Sequence, residues 1–174
     1  MEILFDHHNM NNFQSFPIAL FIVFVSLSLL DARTDKFILD SYYNPNRLAF
    51  KLSKDSFKCS FFGVVVPYYG NSACNFENFK RMSNLTIGFL QNNLNLGQLY
   101  DISIIDGYCV VSYGNVNFNE KIIMNGYGVV NQKAILDVDL LNRYLYLQNI
   151  AINSKSGLWN SFYNEMNCLK NDYL

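Results

Sequence analysis

Four cysteines are the side chains of this sequence best suited to redox or metal chemistry. Cys59, Cys74, Cys109 and Cys168 are widely spaced and form no Cys-x-x-Cys pair, so no zinc or redox motif is recognisable. In an exported protein they would form one or two disulfides, and the spacing does not determine the pairing. The alternative is unpaired, partly buried thiols, because free cysteine packs as a small hydrophobic residue.

Other residues whose side chains could act in catalysis or binding are scattered along the chain rather than grouped. His7 and His8 are adjacent near the N-terminus and are interpreted as solvated side chains rather than metal ligands. Asp55 and Asp106 fall in predicted polar turns, where aspartate commonly supports turn formation. Lys58, on a predicted strand, is a candidate for contacting a phosphate. These residues suggest no cofactor.

The composition indicates one folded domain with a terminal extension. The 174 residues are 51% hydrophobic and 16% charged, which is enough apolar material for a sizeable core. The formal net charge of -1 argues against a protein that coats nucleic acid, because such binding depends on a basic surface. Any phosphate binding would therefore be local.

An almost unbroken apolar run covers residues 16–30 and contains no charge. Its length lies between that of a signal-peptide core and that of a membrane-spanning helix. We favour an uncleaved membrane anchor, and a cleaved export signal is the alternative. Arg33 and Lys36 follow the run, which favours a cytoplasmic location for the remaining chain. The predicted organisation is a tail and hydrophobic segment at 1–34, a domain at 35–170 and a C-terminal tail at 171–174.

The first part of the domain has the period-two pattern of half-buried strands. Leu48, Phe50 and Leu52 alternate with polar or small residues, and a turn precedes them at Asn44-Pro45-Asn46. A second polar turn at 53–56 leads to a third strand, so a three-stranded antiparallel meander is expected. Residues 75–93 follow as a helix with one apolar face: Phe79, Met82, Thr86, Ile87 and Leu90.

The second part of the domain begins with a hairpin. Residues 100–104 alternate, and Asp106-Gly107 predicts a tight turn into a strand at 108–113. A short helix starting at Asn119 is followed by an apolar run to Val130. Asp137 is then the expected N-cap of a helix over 137–155 that ends before Gly157. Its predicted buried stripe consists of Leu141, Tyr144, Leu145, Gln148, Ala151 and Ile152.

The C-terminal part of this pattern resembles the staphylococcal-nuclease, or thermonuclease-like, family. The matching residues are Asn119-Glu120, Gly126-Tyr127-Gly128, Gln148, Ala151, Lys155 and Gly157-Leu158-Trp159. The resemblance implies an α+β fold: a five-stranded OB-fold β-barrel with about three packed helices, preceded here by the N-terminal hydrophobic helix. It also implies that Trp159 packs back against the barrel.

Family members that cleave nucleic acid carry three catalytic motifs. These are Asp-Gly-Asp-Thr, Arg-Leu-x-Gly-Ile-Asp-x-Pro-Glu and a later Tyr-Gly-Arg turn. Their carboxylates hold Ca²⁺, a glutamate is the general base for water, and the arginines neutralise the phosphate. The resemblance therefore implies a calcium-dependent nuclease wherever these side chains are present.

None of these catalytic side chains is present at the matching positions. With Gly63 and Pro67 as anchors, the arginine, metal-binding and general-base positions of the second motif hold Ser60, Val65 and Tyr68. Asn46-Arg47-Leu48-Ala49 stands where Asp-Gly-Asp-Thr is expected, which puts Leu48 at the other metal-binding position. Asp106-Gly107-Tyr108 replaces the arginine turn. Valine cannot ligate calcium, and tyrosine with an ordinary pKa of about 10 is a poor base at neutral pH.

The expected function is therefore a catalytically degenerate thermonuclease-like domain, held at the membrane through residues 16–30, that binds a protein partner. The expected location is a single-pass membrane protein, or an exported one if residues 16–30 are cleaved.

Lys58 and Tyr69 are further candidate ligand contacts, and the aromatics that could line a binding face are Tyr42, Tyr43, Phe62, Tyr68 and Tyr69. An altered phosphodiester hydrolase remains an alternative. Another is single-stranded nucleic-acid binding through Lys51, Lys54, Lys58, Lys80 and Arg81, which the net charge disfavours.

Overall fold

The computed structural model describes residues 35–68, 74 and 77–174. The predicted hydrophobic segment at 16–30 and the candidate residue Tyr69 lie outside this part of the chain. Within it, every helix is too short or too polar to cross a bilayer. Residues 35–174 belong to one compact unit.

Eight strands occur in the described residues, and five of them close into a barrel. The strands are β1 (Asp35–Asn44), β2 (Arg47–Leu52), β3 (Asp55–Phe61), β4 (Val64–Val65), β5 (Leu99–Ile105), β6 (Tyr108–Tyr113), β7 (Val116–Asn117) and β8 (Val129–Val130). Antiparallel pairing gives the order β3-β2-β1-β5-β6, and a parallel β3–β6 pair closes the barrel. This confirms the α+β class and the five-stranded barrel, and the strand order is compatible with an OB-fold.

Local sequence accounts for the barrel's turns. Asp106 and Gly107 both have positive φ, as a two-residue turn between twisted antiparallel strands requires. Ser53 and Lys54 connect β2 to β3, so Asp55, which the sequence placed in this turn, begins β3 instead. Two register shifts bend β1, which pairs with β5 at its start and β2 at its end.

Five α-helices surround this barrel within the described residues. They are α1 (Phe79–Asn93), α2 (Phe118–Met124), α3 (Val138–Asn153), α4 (Leu158–Ser161) and α5 (Tyr163–Asp172). A 3-10 turn covers Gln132–Ala134. The carboxylate of Asp137 accepts hydrogen bonds from the backbone N–H groups of Asp139 and Leu140, which confirms the predicted N-cap of α3.

Two hydrophobic cores lie in the domain. The barrel interior contains Leu48, Phe50 and Val111, while a second core forms between β4, β8 and the helices. Trp159 is only 1% exposed and lies in this second core, with Met82 and Met166, rather than in the barrel interior. The resemblance thus predicted that Trp159 is buried, but it did not predict that the second core covers the residue.

All four cysteines are paired. Cys59 and Cys109 join β3 to β6 beside the parallel seam that closes the barrel. Cys74 and Cys168 join the segment after β4 to α5. Of the two states that the sequence left open, the structure has the disulfides.

Asn119 connects α2 to the barrel through three hydrogen bonds. Its side-chain oxygen accepts from the backbone N–H of Val111 at 3.0 Å, and its amide donates to the carbonyls of Phe62 and Cys109. The residue is fully buried. Because a buried amide is tolerated only when its groups are paired, this position requires asparagine for structural reasons.

Gly126 and Gly157 allow two backbone segments to touch. A Cβ atom on Gly126 would lie 2.2 Å from the carbonyl oxygen of Ser156, and one on Gly157 would lie 2.3 Å from that of Asn125. Both glycines also have positive φ. The backbone N–H of Leu158 donates to the carbonyl of Gly126 across this contact. The end of α2 is thereby fixed against the start of α4.

Candidate functional site

A cavity of about 320 Å³ lies at the end of the barrel where the β1–β2 and β5–β6 turns meet. We call it the mouth cavity. Its lining comes from five separate parts of the chain and consists of Asn46, Val64, Val65, Tyr68, Tyr108, Asn131 and Tyr173. None of these side chains is a carboxylate, a lysine or an arginine. The chemistry available in the cavity is therefore that of amides and phenols.

The barrel seam places two of these residues. The side-chain oxygen of Asn44 accepts from the backbone N–H of Asn46 at 2.9 Å, which shapes the β1–β2 turn. The amide of Asn46 then donates to the hydroxyl of Ser60 at 3.4 Å. Ser60 is the parallel pairing partner of Tyr108. Closure of the barrel thus brings Asn46 and Tyr108 to the same cavity.

Three tyrosines from distant parts of the chain surround the cavity: Tyr68, Tyr108 and Tyr173. Burial raises the pKa of Tyr173, and the nearby Tyr68, Asp172 and Tyr108 raise it further. Tyr173 is therefore uncharged at neutral pH and can donate its proton in a hydrogen bond.

Asn131 contributes an unsatisfied hydrogen-bond acceptor. Its backbone N–H donates to the carbonyl of Gly63 at 3.0 Å, which fixes the residue beside the cavity. Its Oδ1 is buried and has no hydrogen-bond partner within the described part of the protein. Since burial of an unpaired polar atom is costly, this oxygen is suited to accept a hydrogen bond from a ligand.

The structure brings together some of the degenerate catalytic positions but not all. Val65 and Tyr68 line the mouth cavity, and Ser60 contacts it through Asn46. Leu48 does not line it: the residue is 1% exposed, pairs with Cys59 and belongs to the barrel core. The period-two pattern that predicted Leu48 on the buried strand face was the signal that it could not be a ligand at the mouth.

Asn46, Tyr108, Asn131 and Tyr173 are the lining residues that sequence reasoning did not select. Asn46 was recognised as part of a turn and as the first residue of the replaced Asp-Gly-Asp-Thr motif, and Tyr108 only as the end of the replaced arginine turn. Asn131 and Tyr173 lie more than sixty residues after Tyr68, and no local pattern links them to it. They join the cavity because the backbone N–H of Gln132 donates to the carbonyl of Tyr173.

The other predicted aromatic contacts are dispersed. Tyr43 is 58% exposed, and the ammonium of Lys58 lies 3.7 Å from its ring centre. Phe62 is buried in the barrel core. The hydroxyl of Tyr42 donates to the carbonyl of Leu94. Of the described candidates, Tyr68 alone lines the mouth cavity.

Three of the five predicted basic residues contact other side chains. Lys51 makes an ion pair with Asp40 at 2.6 Å, and Lys58 lies over the ring of Tyr43. The guanidinium of Arg81 lies 5.5 Å from the ring centre of Phe162. These cations are already engaged by other side chains, and none of them lines the mouth cavity.

Among the described residues, one group of three side chains has the proximity expected of metal ligands. The ligand atoms of Cys74, Cys168 and Asp172 lie within 4.8 Å of one another. The two sulfurs are bonded to each other, however, and a disulfide provides no thiolate. Asp172 alone remains, and one carboxylate does not make a metal centre.

A second cavity, of about 590 Å³, lies beside β1, β5 and β6. Its charged residues, Lys36 and Asp101, are 3.7 Å apart and pair with each other. Its remaining lining is Gln98, Leu99, Tyr113 and Gly114. It contains none of the predicted site residues.

Comparison of the chain with protein-family models and with curated proteins found no match.

Proposed function

We propose that this domain is a non-hydrolytic binding module whose ligand occupies the mouth cavity. The observation that carries the proposal is the lining of amides, phenols and valines, which among the described residues includes no carboxylate and no cation. Phosphodiester hydrolysis by a metal-dependent nuclease needs carboxylates for the ion, a base for water and positive charge for the phosphate. The described residues that line the mouth cavity supply none of these groups.

The replaced first motif of the thermonuclease-like family agrees with this proposal. In the alignment that puts Leu48 on the second aspartate of Asp-Gly-Asp-Thr, Asn46 falls on the first aspartate and lines the mouth cavity. An asparagine oxygen can approach a cation but brings no negative charge, and Val65 brings no ligand atom at all. On this proposal, the positions of the family's catalytic site lie at a neutral, hydrogen-bonding cavity of the barrel.

We also propose that the domain lies in an oxidising compartment, either exported or held on the outer side of the membrane by residues 16–30. The support is the pairing of all four cysteines, since disulfides persist in such compartments and are rare in the cytosol. This orientation is opposite to the one that Arg33 and Lys36 favoured. Two basic residues are a weaker topological signal than two disulfides.

Protease protection of intact cells tests the orientation. Exposed loops of the domain should be cleaved by protease added outside, and an alkylating reagent added at cell lysis without reductant should modify none of the four cysteines. Complete protection in intact cells, together with four alkylatable thiols, would contradict the proposed location.

A nuclease assay tests the non-hydrolytic part of the proposal. The full-length protein, with its disulfides intact, is incubated with single-stranded DNA, double-stranded DNA and RNA in the presence of calcium. The expected result is no cleavage above that of a preparation treated with chelator. Turnover that the chelator abolishes would contradict the proposal and favour the altered-hydrolase alternative.

A further inference from the structure

We infer that the mouth cavity binds one unit of a neutral carbohydrate chain; this inference rests on the proposed binding function. Asparagine amides carry both donors and acceptors, and tyrosine hydroxyls can do both as well. Sugar hydroxyls have the same dual character. An uncharged lining avoids the desolvation cost of a buried ion, and it leaves a charged ligand without a counter-charge.

Asn131 adds a hydrogen-bond acceptor without a partner to the wall of the cavity. Its Oδ1 is buried and has no partner within the described residues, so a hydrogen bond donated by a ligand to this oxygen would offset the cost of its burial. Phosphate oxygens are acceptors and would face this oxygen unfavourably. A sugar hydroxyl would donate to it.

The position in the barrel agrees with a polymeric ligand. Asn46 lies in the β1–β2 turn and Tyr108 directly follows the β5–β6 turn. Five-stranded OB barrels bind oligonucleotides and oligosaccharides at these two turns. Of the two, the oligonucleotide depends on lysine and arginine, which the lining lacks. The chemistry of the residues therefore favours the oligosaccharide.

A peptide strand fits this place less well. Closure of the barrel by the β3–β6 pair leaves its strands without a free edge at the seam, and β4 already pairs with β8. Addition of a peptide strand needs such an edge. The cavity is also near the lower end of ligand-site volumes, which suits a single ring. Tyr108 is 40% exposed, so its ring lies at the rim where a chain would leave.

Calorimetric titration tests the inference. The full-length, disulfide-bonded protein is titrated with neutral oligosaccharides of two to six units: β1,4- and α1,4-linked glucose, β1,4-linked N-acetylglucosamine and α-linked mannose. Saturable binding of at least one of them, unchanged by added salt, is the expected result. Absence of binding throughout the panel at millimolar concentrations would overturn the inference.

Two variants locate the binding site. Tyr108→Phe and Asn131→Ala should each weaken binding about five- to tenfold, the effect of one lost hydrogen bond. Tyr146→Phe, on the exposed face of α3, is the matched control and should bind as the natural protein does. Carbohydrate binding that survives both cavity variants would overturn the inference. If the unfolding midpoint shows that one of these variants is not folded, Asn46→Ala is measured in its place.

Parallel titrations with single-stranded DNA test the carbohydrate ligand and the proposed binding function separately. Salt-sensitive DNA binding without carbohydrate binding would overturn the ligand class and leave the proposed binding function intact. Cleavage of that DNA in the presence of calcium would overturn both.

Discussion

The C-terminal segment from Asn119 to Trp159 and the mouth of the barrel differ in what their side chains do. In the first, the residues that carry the family resemblance satisfy buried backbone groups or allow two backbones to touch, as Asn119 and Gly126 do. Gln148 also accepts from the backbone N–H of Val130 at 2.8 Å. In the second, the residues contact a cavity. Resemblance in a scaffold therefore predicts the fold and says little about the chemistry.

The barrel seam beside the mouth should depend strongly on its disulfide. Replacing both Cys59 and Cys109 by alanine should lower the free energy of unfolding by about 4 kcal/mol, because the bond closes a loop of 50 residues in the unfolded chain. Urea unfolding of the oxidised protein measures this. A loss below about 1 kcal/mol would mean that strand pairing alone holds the seam.

The C-terminal segment should depend on close backbone contact. Gly126→Ala should destabilise by about 3 kcal/mol, since it combines a positive φ of 74° with a 2.2 Å clash against Ser156. Gly97→Ala is the matched control: its φ is 78°, but nothing lies within 4 Å of the added Cβ. That variant should lose only about 1 kcal/mol. Equal losses in the free energy of unfolding of the two variants would show that the backbone contact at Gly126 adds nothing to the cost of its positive φ.

Alkaline pH should weaken the packing of α3 on the barrel. Burial raises the pKa of Tyr144, and the nearby carboxylate of Glu120 raises it further. The folded state therefore keeps this proton above the pH at which the unfolded chain loses it, near 10. The contribution of Tyr144 to the free energy of unfolding should be constant below about pH 10 and fall above it by up to about 1.4 kcal/mol for each pH unit.

Tyr144→Phe separates this effect from that of other tyrosines. The variant should show a shallower loss of stability between about pH 10 and pH 11 than the natural protein, measured by urea unfolding at each pH. The exposed Tyr146→Phe variant should keep the full slope. An unchanged slope in Tyr144→Phe would contradict the assignment.

Substitutions at the mouth should have the smallest effect on stability. Asn46→Ala and Tyr68→Ala should each change the free energy of unfolding by less than about 1 kcal/mol, because both side chains are only half-buried. The contrast with Gly126→Ala sharpens the distinction between scaffold and site. A loss above about 2 kcal/mol in either mouth variant would make that residue part of the scaffold.

Local patterns predicted much of the fold. Alternation along β2 and β3 placed Phe50 and Cys59 in the core, and the carboxylate of Asp137 marked the start of α3. Thr86 is buried as its helical spacing predicted, and its hydroxyl donates to the carbonyl of Met82. In these cases a residue's environment depends on neighbours a few positions away.

The site could be predicted only in part, because it depends on long-range packing. Val65 and Tyr68 were found from motif spacing, whereas Asn131 and Tyr173 reach the cavity through the second core and α5. The pairing of Cys74 with Cys168 spans 94 residues and has no local signal. Leu48 was placed at a metal-binding position by motif spacing alone, and the structure puts it on the buried face of β2, away from the mouth cavity.

Calorimetric titration of the full-length, disulfide-bonded protein with calcium tests the central claim most directly. Because Asn46, Val65 and Tyr68 offer no negative charge, we expect no saturable heat of binding and no change in the unfolding temperature between calcium and chelator. Saturable calcium binding that is lost in the Asn46→Ala variant would contradict the account, since it would place a metal ion in the mouth cavity.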